Sequence, residues 1–359
     1  MALKRTKTSH LKNGMVIKSD VYNHSGVILV PENTVVTKEV FDLLTRHFVE
    51  DVIIDYATEG TPAPITIVSH QKRAINRKKL KEFTQTYQIA EEILTQNLID
   101  VVEKDKEIDI PVLLKLLQSV INKADGELSL CDMLHNMQHS SETLYSHSIN
   151  VALYAQLLAR WSCFNDEEIE LVSLAGLLHD IGHMKYPNHE ESIFTLHDGL
   201  EKRCHEQHPT LGYQILQNKE IDHRIKQAVL THHERFDESG FPLGVSFVNI
   251  NQITRVLSIA DSYATLITEE PGHPALTPFD ALKVLQETDY KKYDNKFLAK
   301  FIERVSQNYI QHDVLLSNGQ TGTIIMLNKL DVTRPLVQIG NIFMDLAVHK
   351  NISIEKILN

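Results

Sequence analysis

The sequence predicts a mainly α-helical protein with a small α/β domain ahead of the helical part and a short β-containing appendage behind it. Three observations carry that expectation. From Pro111 to about Asn308 nearly every segment repeats its apolar residues at three- and four-residue steps, the period of a helix with one buried face. Residues 1 to about 57 instead mix short β-prone runs with one helical stretch, and after Asp313 β-prone runs return around an Asn-Gly pair.

Composition narrows the class further. The 359 residues are 42% hydrophobic and 23% charged, which excludes a disordered or fibrous chain and allows about two to three domains. Asp and Glu total 47 against 36 Lys and Arg, a formal net charge of -11, so the overall field does not hold this protein on a nucleic-acid polymer. The three cysteines show no C-x-x-C spacing, so neither a disulfide framework nor a thiolate zinc site is indicated, and a reducing cytoplasm is the expected location. No apolar segment follows the charged N-terminus and no 18 uncharged apolar residues run together, so neither secretion nor a membrane span is expected. Histidine is the exception: 19 residues against 14 glycines, with twelve of them between His135 and His233, a concentration that points to metal chemistry.

Taken in order, strands are expected at Met15–Ile17, Val27–Val30 and Val52–Ile54, with a helix near Glu39–Phe48. The Gly- and Pro-rich stretch Thr58–Pro64 marks a boundary, giving an N-terminal domain over 1–62. A helical linker region, 63–124, follows, with a long helix from Gln71 to about Lys104. Its basic residues Lys72, Arg73, Arg77, Lys78, Lys79 and Lys81 come without aromatic platforms and read as a solvated helix face. The helical domain covers 125–312, with one irregular stretch at Tyr186–Asp198. The appendage, 313–359, opens with a hairpin, Leu315–Gln320 and Thr323–Leu327, turning on Asn318-Gly319, then continues through Pro335–Ile339 and Ile342–Leu346. There is no internal repeat.

Within the helical domain, polar residues interrupt apolar faces. On Glu142–Trp161, His147 shares a face with Val151, Tyr154 and Leu158. On Asp166–Ile181, the stripe Leu171, Leu174, Ala175, Leu178 runs into His179 and Asp180, with Gly182 placed to end the helix. Ile225, Ala228 and Val229 lead to His232, with His233 and Glu234 next. On Asn251–Thr268, Ile253, Val256, Leu257 and Ala260 share a side with Asp261, whereas Arg255 lies on the other side. A buried carboxylate without a partner costs several kcal/mol, so Asp261 requires a tertiary partner. Each residue alone reads as a hydrogen-bonded core group. Together they have one common explanation, one or two divalent ions, and imidazole with carboxylate suits Fe, Mn or Zn. Asp180 could bridge two ions in the clamp used for phosphoester hydrolysis.

His147, the string L-L-H-D-I-G around His179 and Asp180, His208-Pro209-Thr210-Leu211-Gly212, H-H-E-R-F-D-E-S-G-F-P from His232 to Pro242, and S-I-A-D ending at Asp261 follow one another in an order that resembles the HD-GYP family. That family is a branch of the HD-domain metal-dependent phosphohydrolases, and the likeness covers roughly Glu142–Val305. The resemblance implies an HD-type helical bundle and a phosphodiesterase that hydrolyses cyclic di-GMP or a related cyclic dinucleotide with water activated by two divalent ions. It implies Fe or Mn, with Zn or Ni as alternatives. It places ligands at His147, His179, Asp180, His208, His232, His233 and Asp261, with Asp180 bridging. His208 enters only through the resemblance: it precedes Pro209 and is expected at a helix start, where no stripe exists.

The chain also departs from the family pattern. Gly240-Phe241-Pro242 stands where the family has Gly-Tyr-Pro, which makes this a variant without the phenol hydroxyl at the expected substrate-binding loop. His183 replaces a Lys and is expected to touch substrate, to act in catalysis or to serve as a further ligand. Thr143 stands where three-metal members carry Glu, which implies two ions. Glu270-Pro271-Gly272-His273 replaces an Arg-Pro-Tyr-Arg run and removes two guanidinium groups suited to phosphate. A cyclic-dinucleotide sensor or scaffold with little catalysis is the alternative expectation, followed by another HD-type hydrolase or a di-iron oxygenase. No phosphate loop, nucleophile motif or metal spacing occurs in residues 1–57, which leaves that segment to a protein partner or to dimerisation.

Overall fold

The computed structural model describes residues 3–19, 21–22, 28–30, 34–47, 49–55, 77–137, 143–186, 200–269, 274–287, 290–328 and 331–358. The elements run β1 (Leu3–Lys7), β2 (Val21–Tyr22), β3 (Ile28–Val30), α1 (Lys38–Arg46), β4 (Asp51–Asp55), then α2 (Arg77–Glu103), α3 (Ile110–Ile121), α4 (Glu127–Met137), α5 (Leu144–Trp161) and α6 (Asp166–Leu178). After a 3-10 turn at Ile181–Lys185 come α7 (Leu200–Leu216), α8 (His223–Thr231), α9 (Gln252–Leu266), α10 (Pro278–Glu287) and α11 (Asn295–Asn308). The chain ends in β5 (Asp313–Leu316), β6 (Thr321–Met326), β7 (Leu336–Ile339), β8 (Ile342–Asp345) and β9 (Ile354–Leu358). The protein is therefore mainly helical, with small antiparallel sheets near both termini. No described helix is long and apolar enough to cross a membrane.

Two compact units result: Met1–Ala74 with Tyr309–Asn359, and Ile75–Asn308. The four segments expected from sequence regroup accordingly, the C-terminal strands joining the N-terminal segment. One shared core explains this: Leu29, Val36, Val40 and Leu44 pack in a single buried cluster with Ile325, Met326, Leu336 and Phe343. In this unit β1 pairs antiparallel with β4, β2 with β3, and the sheet order of the remaining strands is β8-β7-β6-β5-β9. β1 carries Lys4, Arg5 and Lys7, so no apolar alternation announces it, and β9 was likewise not foreseen. Met15–Ile17 forms only isolated bridges, Val16 to Val35 and Ile17 to Ile54, rather than a strand. The Asn-Gly hairpin exists, but Leu316 N bonds to Gln320 O at 2.8 Å, enclosing three residues rather than two, with Gly319 at a φ of 78°.

In the second unit α5 is the central helix: every residue of it except Ser146 and Arg160 is buried. A helix buried all round must have others packed on each side. Tyr154 of α5, Tyr263 of α9 and Phe301 of α11 meet edge to face, at centroid distances of 5.2 Å for the tyrosine pair and 5.0 Å for Tyr263 to Phe301. Side-chain caps start the helices that carry the site. Thr143 caps α5 and Asn165 caps α6 in reciprocal capping boxes, while Asp222 caps α8 and Asn251 caps α9. On α2, Phe83 and Tyr87 are buried while Lys78, Lys79 and Lys81 are exposed, as a solvated face requires.

Two sequence expectations about helix ends change. The α6 helix stops at Leu178, before His179 rather than at Gly182, because the chain tightens into the Ile181–Lys185 turn. His208 does not start a helix: α7 begins at Leu200 and runs through Pro209, whose missing N–H removes one backbone hydrogen bond without ending the helix. The Thr58–Pro64 boundary, most of Tyr186–Asp198, and Glu270-Pro271-Gly272-His273 lie outside the described residues.

Candidate metal centre

The two histidines at helix ends are set by the same local device. The last carbonyls of a helix have no partner inside it. His179, directly after α6, donates from Nδ1 to Gly176 O at 2.8 Å; His232, directly after α8, donates from Nδ1 to Val229 O at 2.8 Å. A carbonyl only accepts, so both rings carry a proton on Nδ1, and both Nε2 atoms turn inward.

Asp180 organises the centre. Its Oδ2 faces His179 Nε2 at 3.1 Å and His147 Nε2 at 3.8 Å. Its Oδ1 faces His208 Nε2 at 3.1 Å, His232 Nε2 at 3.7 Å and His183 Nε2 at 3.9 Å. Asp261, from α9, lies 3.2 Å from His147 Nε2 and 3.8 Å from His179 Nε2 through Oδ1, and 4.0 Å from His233 Nδ1 through Oδ2. Asp261 thus finds the tertiary partners that its own helix does not offer, while Arg255 is occupied by Asp294 at 3.2 Å. All seven expected ligands and His183 are buried. They form four overlapping groups able to hold an ion: His147, His179 and Asp261; His208, His232 and His233; Asp180, His183 and His208; and His179, Asp180 and His232, which joins the others.

The donor set fits a divalent ion. His208 Nε2 and His232 Nε2 approach to 3.0 Å, where His208 Nε2–H can donate to the His232 lone pair. His179 Nε2 is buried and makes no hydrogen bond of good geometry among the described residues. Buried nitrogens converging on two carboxylates are the arrangement a cation resolves. In the absence of an ion, burial pushes the Asp180 carboxyl up, but the His179 and His208 imidazoles outweigh it and hold the group well below the usual range. For Asp261 burial is again overcome, here by His147 and His179. Burial likewise pushes His179 down, but the Asp180 and Asp261 carboxylates raise it to about 9. Burial and neighbouring imidazoles keep His232 and His233 well below 6.5.

Backbone contact fixes the spacing. A Cβ on Gly182 would lie against the His208 carbonyl and 2.6 Å from Gly212 N, so only glycine lets the turn after Asp180 meet α7. The rings of His183 and His208 then stack at 4.0 Å. Gly240 brings the loop carrying Phe241 against the backbone of His233 and Glu234, where a Cβ would meet Arg235 N at 2.5 Å. Phe241 stacks on His233 at 4.7 Å. Gly240 and Phe241 line a cavity at the centre's edge, and Pro242 does not. Sequence reasoning missed the device holding this loop. The buried Glu234 carboxylate accepts from Leu243 N at 2.6 Å, Gly244 N at 3.2 Å and Val245 N at 3.1 Å. Its place directly after two histidines was the available sign.

Residues 129–297 match the family described as the HD domain, and they hold every residue of this centre. The chain is 26% identical over 226 residues to a cyclic di-GMP phosphodiesterase of Pseudomonas aeruginosa, covering 62% of this chain and 52% of that protein. It is 30% identical over 153 residues to a 3'3'-cGAMP-specific phosphodiesterase of Vibrio cholerae, covering 43% and 33%. The chain thus spans about half or less of the length of these relatives. Among solved structures it resembles a HDG"Y"P protein of Bdellovibrio bacteriovorus, with a TM-score of 0.50 and 17% identity over 85% of this chain and 99% of that one, a likeness of fold alone.

Proposed function

We propose that this protein is a metal-dependent phosphodiesterase of the HD-GYP type, with phenylalanine at the tyrosine position, that hydrolyses cyclic di-GMP or a related cyclic dinucleotide. The observation that carries this reading is Asp180, whose Oδ2 faces His147 and His179 while its Oδ1 faces His183, His208 and His232. Asp180 could then bridge two ions, of which His147, His179 and Asp261 would hold one and His208, His232 and His233 the other. When bound, two such ions, iron or manganese by preference and zinc or nickel as alternatives, neutralise phosphate charge and lower the pKa of a water. The names of the relatives support a cyclic dinucleotide as the substrate class.

The chain's own groups do the rest. Nδ1–H bonds to Gly176 and Val229 keep His179 and His232 in the tautomer whose Nε2 can ligate. His183 stands within 3.9 Å of Asp180 Oδ1, where its imidazole N–H can donate to a phosphate oxygen held on that side. Phe241 stacks on His233 and, with Gly240, forms an edge of the entrance without offering a hydroxyl. The chemistry is assigned to the helical domain, 125–312, and a regulatory or partner-binding role to 1–62.

The test is turnover. Protein loaded anaerobically with Fe(II) or Mn(II) should convert cyclic di-GMP to linear or mononucleotide product, followed by chromatography. Tight binding without product would instead make the protein a receptor for the same ligand.

A further inference from the structure

A polar stripe runs beside the expected ligand His147 at the start of α5. Thr143, Ser146 and Asn150 follow one another at three- and four-residue steps, on a helix whose other positions are mostly apolar and buried. Polar groups inside a core cost free energy unless they are bonded, so this stripe needs partners of fixed position. Two residues of α2, four apart, supply them. Tyr87, itself buried, has its hydroxyl 2.8 Å from the Ser146 carbonyl and 2.8 Å from Asn150 Oδ1. The Glu91 carboxylate accepts from Thr143 Oγ1 at 2.5 Å. Both α2 residues precede 129–297, the stretch that matches the HD domain.

Proton accounting makes the Glu91 contact specific. The Thr143 hydroxyl has one proton, and the carboxylate draws it away from Ser146 Oγ, which lies at 3.2 Å. A lone pair on Thr143 Oγ1 is then free to accept from the Ser146 N–H at 3.0 Å. Ser146 Oγ in turn accepts from Thr143 N at 2.8 Å and donates to Thr143 O at 3.1 Å. The same carbonyl accepts from the His147 N–H at 2.9 Å. Glu91 thus orients the first turn of α5 down to the backbone of His147, and its negative charge stands at the positive end of that helix. The far end of α2 is anchored separately. In the segment after it, the Asp105 carbonyl and carboxylate accept from the buried Lys219 Nζ at 2.9 and 2.6 Å, and Glu107 accepts from Glu220 N at 2.9 Å. These bonds tie α2 to the turn between α7 and α8, so Glu91 is presented from a fixed frame.

We propose that Glu91 is a positioning residue for the metal centre: through the Thr143 hydroxyl it holds the first turn of α5, and with it the His147 imidazole, at the ion shared with His179 and Asp261. The inference rests on the two-ion reading above, and it gives a helix outside the matched family region a hold on one of the two ions.

The experiment is titration of Mn(II) into the full-length protein and its Glu91→Ala, Glu91→Gln, Thr143→Val and Glu91→Ala/Thr143→Val variants. Bound metal is counted, and the electron paramagnetic resonance of the bound Mn(II) is recorded. Glu91→Ala should weaken one of two ions about tenfold or more, as removal of a group that orients a ligand does. At limiting metal its spectrum should change from that of a coupled Mn(II) pair to that of isolated Mn(II). Glu91→Gln keeps an acceptor for the Thr143 hydroxyl and should restore most of the affinity. In the Thr143→Val background Glu91→Ala should cost nothing further, because the contact is already gone. Loss of stability alone would weaken both ions together. Equal weakening of both ions, wild-type affinity in Glu91→Ala, or an equal cost of Glu91→Ala with and without the Thr143 hydroxyl overturns the positioning role. Two Mn(II) bound by the wild type alongside one of these results removes Glu91 and keeps the centre, whereas fewer than two bound by the wild type overturns both.

Discussion

At the scale of single residues, Asp180 is the group on which both halves of the centre depend, because each of its oxygens faces a different set of imidazoles. Asp180→Ala should therefore reduce bound metal from two ions per chain to fewer than one. His223→Ala should retain both, since that ring is exposed beside Asp222 and away from the cluster. Metal analysis of the two purified variants checks this. His179 sets the pH dependence of loading. Without an ion its imidazole keeps its proton up to about 9, and an ion must displace that proton from Nε2. His232 and His233 are already neutral over the same range and add no proton. Apparent metal affinity should therefore rise by about tenfold per pH unit from pH 6.5 towards 9, and protons should be released on binding. Competition with a chelator at several pH values measures it, and an affinity that is flat over this range contradicts the assignment of His179 as a ligand.

At the scale of elements, the centre is made where helix ends meet, and glycine sets how closely they do so. Gly182→Ala would push the turn after Asp180 away from α7, since the added Cβ strikes the His208 carbonyl. Overpacking of this kind costs about 1–3 kcal/mol, and it should also separate His208 from Asp180 and lower metal content. Denaturant unfolding and metal analysis of the same variant test both effects. How much of this was legible in the sequence follows from what periodicity can register. His147, His179, His232 and Asp261 could be found because each stands where an apolar stripe continues, so a polar residue there is out of place. His208 could not be found this way, and the Pro209 beside it suggested a helix start when the residue lies within α7. β1 was hidden by its charges, while α5 was readable because nearly every position in it is apolar or small and buried.

At the scale of the whole molecule, the ligand set lies entirely within Ile75–Asn308, so metal should stabilise that unit in particular. The chain has one tryptophan, Trp161, buried in the same unit with its indole N–H donating to Glu127 at 2.7 Å, and its fluorescence therefore reports on this unit. With metal at a hundredfold the Kd of each site the stabilisation is about 2.7 kcal/mol per ion and about 5 kcal/mol for two, equivalent to about 10–20 °C in melting temperature for a unit of this size. Addition of a chelator should lower the tryptophan-detected melting temperature by that amount. The central claim, that a binuclear centre bridged by Asp180 cleaves a cyclic dinucleotide, is tested most directly by metal stoichiometry and cyclic di-GMP turnover measured on one sample as Mn(II) or Fe(II) is titrated in anaerobically. The account predicts that product formation rises with metal loading and reaches its plateau at two ions per chain. Two ions bound with no product from either metal, or full activity in protein stripped of metal, would contradict it.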